Sequence, residues 1–307
     1  MRENFSPEHA ILFTLDVQTV IQKKPFKLNA MIGYVKGDDQ IFNCEDELTA
    51  DNLDALWRQD MQDKRNQQAF KDALRSTDPD EVDMAQLVAC APEKPEVMRK
   101  DIEDTIDAFQ SEGLKKIVRE MLRLTGDKLE WFPAAQRLHH AERSGLLHHT
   151  TSMLNLARHV VAAYPFLNAE LLYAGVILHD LCKTTEMISD ETGSVSDYSA
   201  DGLLIGHLVR GVARIEEAAK NVGVSGEIVL LLEHMVLSHH SIPEYGSPKA
   251  PMFPEAEVLA RIDDLDAKMN EMQGILSRVP EGAFSEKVWS LDRRIYHPKY
   301  QEIDGAE

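Results

Sequence analysis

The histidines of this chain are bunched, and their spacing constrains the fold more than any other feature. There are 12 in 307 residues, and most lie between His139 and His240. Together with neighbouring carboxylates they form five groups: His149, the pair His179-Asp180, His207, the pair His239-His240, and Asp263 with Asp266 nearby. The gaps between groups are 30, 27, 32 and 23 residues. Each gap accommodates one helix and one loop, so each group can come from a different helix of one bundle. Facing helices of a bundle are able to build a polar site in its core.

Apolar periodicity fits that arrangement. It predicts helices at about 144–163, 169–183, 200–222, 225–240 and 254–278, with Gly-, Ser-, Asp- and Pro-rich loops at 188–199 and 241–253. Asn168 and Ser225 are candidate N-caps, and Pro254 fits a first helical turn with Glu255 and Glu257 set against the dipole. Further upstream, Ile102, Ile106, Phe109, Leu114, Ile117, Val118, Met121 and Leu122 predict a helical pair around Gly113. The Pro-bracketed run Ala91-Pro92-Glu93-Lys94-Pro95 reads as a break and linker.

The first 50 residues read differently. Phe13, Leu15 and Val17 alternate with polar residues, Leu28, Ala30, Ile32 and Tyr34 repeat the pattern, and Gly37-Asp38-Asp39 marks a turn before Ile41-Phe42. A charged helix is expected over 51–75. The expected fold is therefore mainly α: a helical bundle over 131–307, a helical linker region over 81–130, and a small β-containing domain over 1–80.

A buried Asp180, following the apolar Val176-Ile177-Leu178, would cost several kcal/mol without a partner, and a metal is the simplest one. Imidazole mixed with carboxylate suits Mn, Fe, Co, Ni or Zn better than Mg or Ca. Five His and two Asp exceed the needs of one tetrahedral ion. Two ions would use them, bridged by the two oxygens of Asp180 and holding a hydroxide as nucleophile. A lone helical histidine is more often a packing residue, and His139, His140, His159, His234 and His297 are read that way.

Charge and cysteines limit the function classes. Thirty-three Lys and Arg against 52 Asp and Glu give a net charge of −19. That excludes a basic nucleic-acid coat and a polybasic membrane binder, but not an enzyme that takes a nucleic-acid end into a local pocket. Three cysteines without paired spacing point to a reducing cytoplasm. The apolar stretches at 171–181 and 228–232 are too short to span a bilayer, so no membrane partner is expected.

The order His149, His179-Asp180, Asp263 resembles the HD phosphohydrolase superfamily. The runs Gly145-Leu146-Leu147-His148-His149-Thr150, Leu178-His179-Asp180-Leu181-Cys182-Lys183, Gly206-His207-Leu208-Val209, Leu237-Ser238-His239-His240, Glu244-Tyr245-Gly246-Ser247-Pro248 and Ile262-Asp263-Asp264-Leu265-Asp266-Ala267-Lys268-Met269 resemble the YhaM-type 3′-5′ exoribonucleases within it. The likeness spans roughly 83–300. It implies a helical HD-domain bundle and a metal-dependent phosphodiesterase releasing nucleotides from the 3′ end of single-stranded RNA or DNA, with manganese favoured and a homo-oligomer plausible for the group.

By position, His149, His179, Asp180 and Asp263 would hold one metal, and His207, His239 and His240 the second. Asp180 and Lys183 would be catalytic, with Lys183 also on the scissile phosphate. Arg210 and Lys249 are candidates for phosphate contact and equally for solvated surface charge. The family's N-terminal domain is an OB-fold, of which residues 11–44 supply about three strands, so a degenerate OB-like domain is expected. Two positions depart from the family pattern. Cys182 stands where Gly is usual, and reads as a buried thiol. His148 stands where Glu or Tyr is usual, and would add a ligand or lie exposed. Two other functions stay open: an HD-type phosphohydrolase of a small nucleotide or phosphomonoester, and a non-catalytic helical scaffold with a vestigial site.

Overall fold

The computed structural model describes residues 88–300, together with a short antiparallel pair of strands, β1 (Val35–Lys36) and β2 (Gln40–Ile41). The pair is registered Val35 to Ile41 and flanks the expected turn at 37–39. The strands expected over 13–17 and 28–34 and the helix over 51–75 lie outside the described residues. The chain divides into two units, Met1–Ala89 and Cys90–Glu307.

The second unit is helical. Its elements in order are α1 (Pro95–Asp107), α2 (Glu112–Thr125), α3 (Gly145–Ala163), α4 (Ala169–Leu178), α5 (Lys183–Glu186), the strands β3 (Met187–Ser189) and β4 (Val195–Tyr198), α6 (Ala200–Leu204), α7 (Gly206–Val222), α8 (Glu227–Ser238) and α9 (Pro254–Leu276). The segment read as a linker carries α1 and α2. Their apolar faces, including Met98, Ile102, Ile106, Leu114, Ile117 and Met121, belong to the same core as α3, α4, α7, α8 and α9.

Helix α4 is the axis of the bundle. Leu171, Leu172 and every residue from Ala174 to Leu178 are buried, the signature of a helix covered on all sides. It packs on α2, α3, α8 and α9. Its start is pinned twice: the Asn168 side chain accepts from Leu171 N at 3.1 Å, and Glu255, at the start of α9, accepts from Asn168 N at 2.6 Å. Glu170 in its first turn accepts from Gln110 N and Ser111 N. With its N-terminus fixed and its body immersed in apolar side chains, α4 delivers His179 and Asp180 at a set point.

The structure departs from the expected elements in five places. Helix 169–183 stops at Leu178, and the chain turns through 179–182 into the short α5. The loop at 188–199 contains the β3–β4 hairpin, registered Met187 to Tyr198 with a shift between Ile188 and Ser189. Helix 200–222 is broken at Gly206, whose φ of +76° only glycine adopts freely. Helix α8 is preceded by Gly226 at φ +98°, so Ser225 does not cap it. The α1–α2 break falls at 108–111, where the Ser111 side chain accepts from Leu114 N, and not at Gly113.

Two close approaches set the helix spacing around α8. A Cβ on Gly211 would lie 2.6 Å from Val236 Cγ1, and one on Gly175 would lie 2.2 Å from the terminal methyl of Met235. Val236 is stiff at χ1 and Met235 is flexible. Gly211→Ala is therefore expected to cost about 1–3 kcal/mol through overpacking of α7 on α8, and Gly175→Ala distinctly less. Urea unfolding of both variants checks this, and equal losses would contradict it.

Candidate metal centre

The C-terminal turn of α4 aims Asp180 into the bundle, where it is 2% exposed. Four imidazoles surround it from four elements. His149, at the start of the second turn of α3, places Nε2 3.8 Å from Asp180 Oδ2, and His179 Nε2 lies 3.3 Å from the same oxygen. From the other side His207, at the start of α7, and His239, at the end of α8, each place Nε2 3.5 Å from Asp180 Oδ1. Asp263 of α9 closes the first side, its Oδ1 3.2 Å from His149 Nε2 and 3.9 Å from His179 Nε2. His240 joins the second side: its ring centroid is 4.3 Å from that of His239 and 5.1 Å from that of His207. All seven expected ligand positions thus converge. They form two clusters of mutually close donor atoms, His149, His179 and Asp263 in one and Asp180, His207, His239 and His240 in the other.

The outward nitrogens of these rings are held. His179 Nδ1 donates to Val176 O at 2.8 Å, and His239 Nδ1 to Val236 O at 2.7 Å. His149 Nδ1 is 2.7 Å from Asp266 Oδ2. His207 Nδ1 lies 2.8 Å from Glu186 Oε2 but out of line for a hydrogen bond. A proton fixed on Nδ1 leaves a lone pair on Nε2, and all four Nε2 atoms face inward. Two consequences test the fit of a metal. Asp180 Oδ1, His207 Nε2 and His239 Nε2 are buried without any hydrogen-bond partner, a rare and costly state. The Nε2 atoms of His149 and His179 lie 3.3 Å apart, so two lone pairs would face each other with nothing between. Divalent cations that take imidazole and carboxylate resolve both.

Charge at the centre follows from the same burial. Burial alone would push the Asp180 carboxyl up, but Lys183 and His179 hold it well below the usual carboxylate range. Lys183 Nζ is 2.6 Å from Asp180 Oδ2. Although burial opposes it, Asp180 and Asp263 raise the Lys183 ammonium above its ordinary value, so it stays charged. Burial, then the neighbouring His239 and His207, lower His240 to about 3. Cys182 is buried and its thiol is pushed up to about 12 by desolvation.

The outer residues fall into place unevenly. Arg210 is paired with Asp201, its Nε 2.9 Å from Oδ2. Lys249 is exposed in the loop after α8. That loop is anchored beside the site, because His240 N donates to the fully buried Ser247 Oγ at 3.0 Å and Met252 N donates to His234 Nε2 at 3.1 Å. His159 is exposed and His297 donates to Val279 O, as packing or surface histidines do.

His140 is more than a packing residue. Its Nε2 is 2.7 Å from the Asp266 oxygen that holds His149, and its Nδ1 is 3.0 Å from His148 Nδ1. His148 turns to Glu142 at 2.8 Å, away from the seven converging residues. Burial opposes the change, but Asp266 and Glu142 raise His140, and the two histidines lower Glu142 to about 2. Glu186 and Asp266 are the orienting carboxylates that spacing alone did not assign. The Asp263-x-x-Asp266 interval, which puts both on one face of α9, is the signal that pointed to the second.

Removing the carboxylate that orients His149 should weaken metal binding about 10–100-fold. Chelator competition on Asp266→Ala checks this, and an unchanged affinity would contradict it. Cys182 should resist alkylation in the folded protein at pH 8 and react fully in urea, read by peptide mass spectrometry.

The HD domain family matches residues 146–268, a span from the first turn of α3 to the middle of α9 that holds every converging residue. Among curated proteins, the 3′-5′ exoribonuclease YhaM of Geobacillus sp. (strain WCH70) is 44% identical over 226 residues, covering 73% of this chain and 68% of the relative. The Halalkalibacterium halodurans protein of the same name is 40% identical over 225 residues, 73% of this chain and 69% of its own length. The Listeria innocua one is 37% identical over 286 residues, 92% of this chain and 88% of its own. No solved structure matches. A likeness of this extent, carried through the whole length of the site, places the chain in the YhaM 3′-5′ exoribonuclease family.

Proposed function

We propose that the protein is a metal-dependent 3′-5′ exoribonuclease that releases nucleotides from the 3′ end of single-stranded RNA. The observation that carries this is the convergence of two donor clusters on the two oxygens of one buried carboxylate, in a chain related to 3′-5′ exoribonucleases. His149, His179, Asp180 and Asp263 would hold one ion and His207, His239 and His240, with Asp180 shared, the other. The donor set suits Mn, Fe, Co, Ni or Zn, with manganese favoured. When bound, such a pair lowers the pKa of water and offsets the charge of a transferring phosphoryl group.

The chain's own residues do the rest. Asp180 shares its two oxygens between the clusters and so fixes their separation. Lys183, charged and hydrogen-bonded to Asp180, stands beside both clusters with its ammonium ready to donate to a non-bridging phosphate oxygen as charge develops there. Arg210, one turn after His207, and Lys249, two residues beyond buried Ser247, are proposed as outer phosphate contacts. Burial of His149, His179, Asp180, His207 and His239, with His240 and Asp263 half-buried at the edge, limits competition by bulk water for the reacting phosphate. The cytoplasmic setting expected from the sparse cysteines belongs to the same proposal. Among the described residues no helix is long and apolar enough to cross a membrane.

End-labelled RNA incubated with the manganese-loaded protein should give a ladder shortened from the 3′ end. Intact RNA alongside hydrolysis of nucleotides or phosphomonoesters would move the activity to a small-molecule phosphohydrolase, and no hydrolysis of any substrate would overturn an enzymatic role. Lys183→Ala should keep its metal and lose about 10²–10³ in kcat.

A further inference from the structure

The bundle ends at Leu276, and the chain then forms an extended ribbon that neither the metal centre nor the core uses. Phe284 bridges Tyr296 and Val288 bridges Arg293 in antiparallel register. Ser285 and Ile295 point inward and are buried, with Ile295 N donating to Ser285 Oγ at 2.8 Å. Side chains of a strand alternate, so the neighbours of these two residues point out. They are Glu286, Phe284 and Tyr296, the two rings having centroids 4.9 Å apart, and Arg294, whose guanidinium lies 5.3 Å from the centre of the Phe284 ring. Trp289, in the turn of the ribbon, is 78% exposed and Tyr300 is 89% exposed. Scattered surface aromatics are ordinary. An aromatic pair under a guanidinium, with an exposed indole on the same ribbon, has the composition of a surface on which bases stack.

The charge of this segment runs against that of the chain. Residues 278–300 carry five Lys and Arg, namely Arg278, Lys287, Arg293, Arg294 and Lys299, against three Asp and Glu, in a protein of net charge −19. All five are exposed. The ribbon is also near the site. Ser290 donates to Glu271, two helical turns beyond Asp263 on α9, which is about 12 Å along that axis. Some four nucleotides at about 3.4 Å each cover that distance.

We propose that the ribbon at 283–297 is a second, sequence-independent contact for the single-stranded RNA whose 3′ end enters the metal centre. Phe284, Trp289 and Tyr296 stack on its bases, and Arg293 and Arg294 meet its phosphates. The proposal rests on the exoribonuclease reading, and its test separates the two.

The test uses the full, metal-loaded chain and nuclease-resistant phosphorothioate oligouridines of 3 and 12 nucleotides, with affinities read by anisotropy. The wild type should bind the 12-mer at least about tenfold more tightly than the 3-mer. Phe284→Ala combined with Trp289→Ala should weaken the 12-mer about tenfold or more, and Arg293→Ser with Arg294→Ser should lower the salt slope by about 1.4. Equal binding of both lengths by the wild type, or a 12-mer affinity within about twofold of wild type in the aromatic variant, would overturn the proposal. Should the variants misfold, a 4-thiouridine 12-mer cross-linked to the wild type must map to peptides within 283–297, and cross-links only elsewhere would overturn it. Loss of self-association in the aromatic variant with unchanged RNA affinity would assign the face to a second copy of the chain instead. Cleavage of ordinary 3-mers and 12-mers by the wild type, followed in parallel, reports on the exonuclease reading independently of these affinities.

Discussion

One buried carboxylate organises the molecule. Asp180 sits in the middle of a helical bundle with an oxygen that no hydrogen bond reaches. An ionised group in such a place is destabilising by several kcal/mol unless cations surround it. The chain supplies one of its own, Lys183, and four imidazoles whose inward nitrogens are lone-pair donors. His179 helps Lys183 keep the carboxylate ionised, while the outer nitrogens of His179, His239 and His149 are engaged by Val176, Val236 and Asp266. Divalent ions between the rings and the carboxylate would supply the further positive charge, and in the proposed reading there are two.

The rest of the fold serves the placement of these groups. Helix α4 is apolar on every side because it must hold the Asp180 turn rigidly at the centre. The ties from Glu255 and Glu170 to its N-terminal end fix the rotation of the helix and so the direction in which Asp180 points. Close glycine contacts at Gly175 and Gly211 bring α8 near enough to α4 and α7 for His239 and His207 to share one oxygen. The break at Gly206 has the same logic: an unbroken helix over 200–222 would carry His207 in its middle, whereas the break places it in a first turn facing Asp180, with Glu186 beside its outer nitrogen.

Much of this was legible in the sequence. Spacing of the histidine groups foretold a bundle with one group per helix, the cap at Asn168 and the proline start at Pro254 were visible, and family resemblance named the activity class. What escaped was set by tertiary geometry. The sharp exit of α4 after Leu178 and the break at Gly206 interrupt segments that remain apolar-periodic, so periodicity runs straight through them. Ser225 has the chemistry of a cap, but Gly226 adopts a positive φ and takes its place. The β3–β4 hairpin hides in a loop-like composition. His140 looked like a packing residue because its closest partner, Asp266, is brought to it by α9 from 126 residues away, a separation no local pattern reveals, while His148 of α3 and Glu142 complete its surroundings.

Net charge takes on a different meaning in this light. A net charge of −19 disfavours holding RNA by a broad basic face, and among the described residues the two proposed contacts are places where local charge would be reversed: the metal centre, where ions would offset Asp180 and Asp263, and the ribbon after α9. The central claim is that Asp180 is shared by two metal ions, and metal content tests it most directly. Elemental analysis of the full chain after manganese loading and desalting should find two ions per wild-type chain and a loss of both in folded Asp180→Ala. A wild type that retains no metal, or an Asp180→Ala chain that still holds two ions, would contradict it.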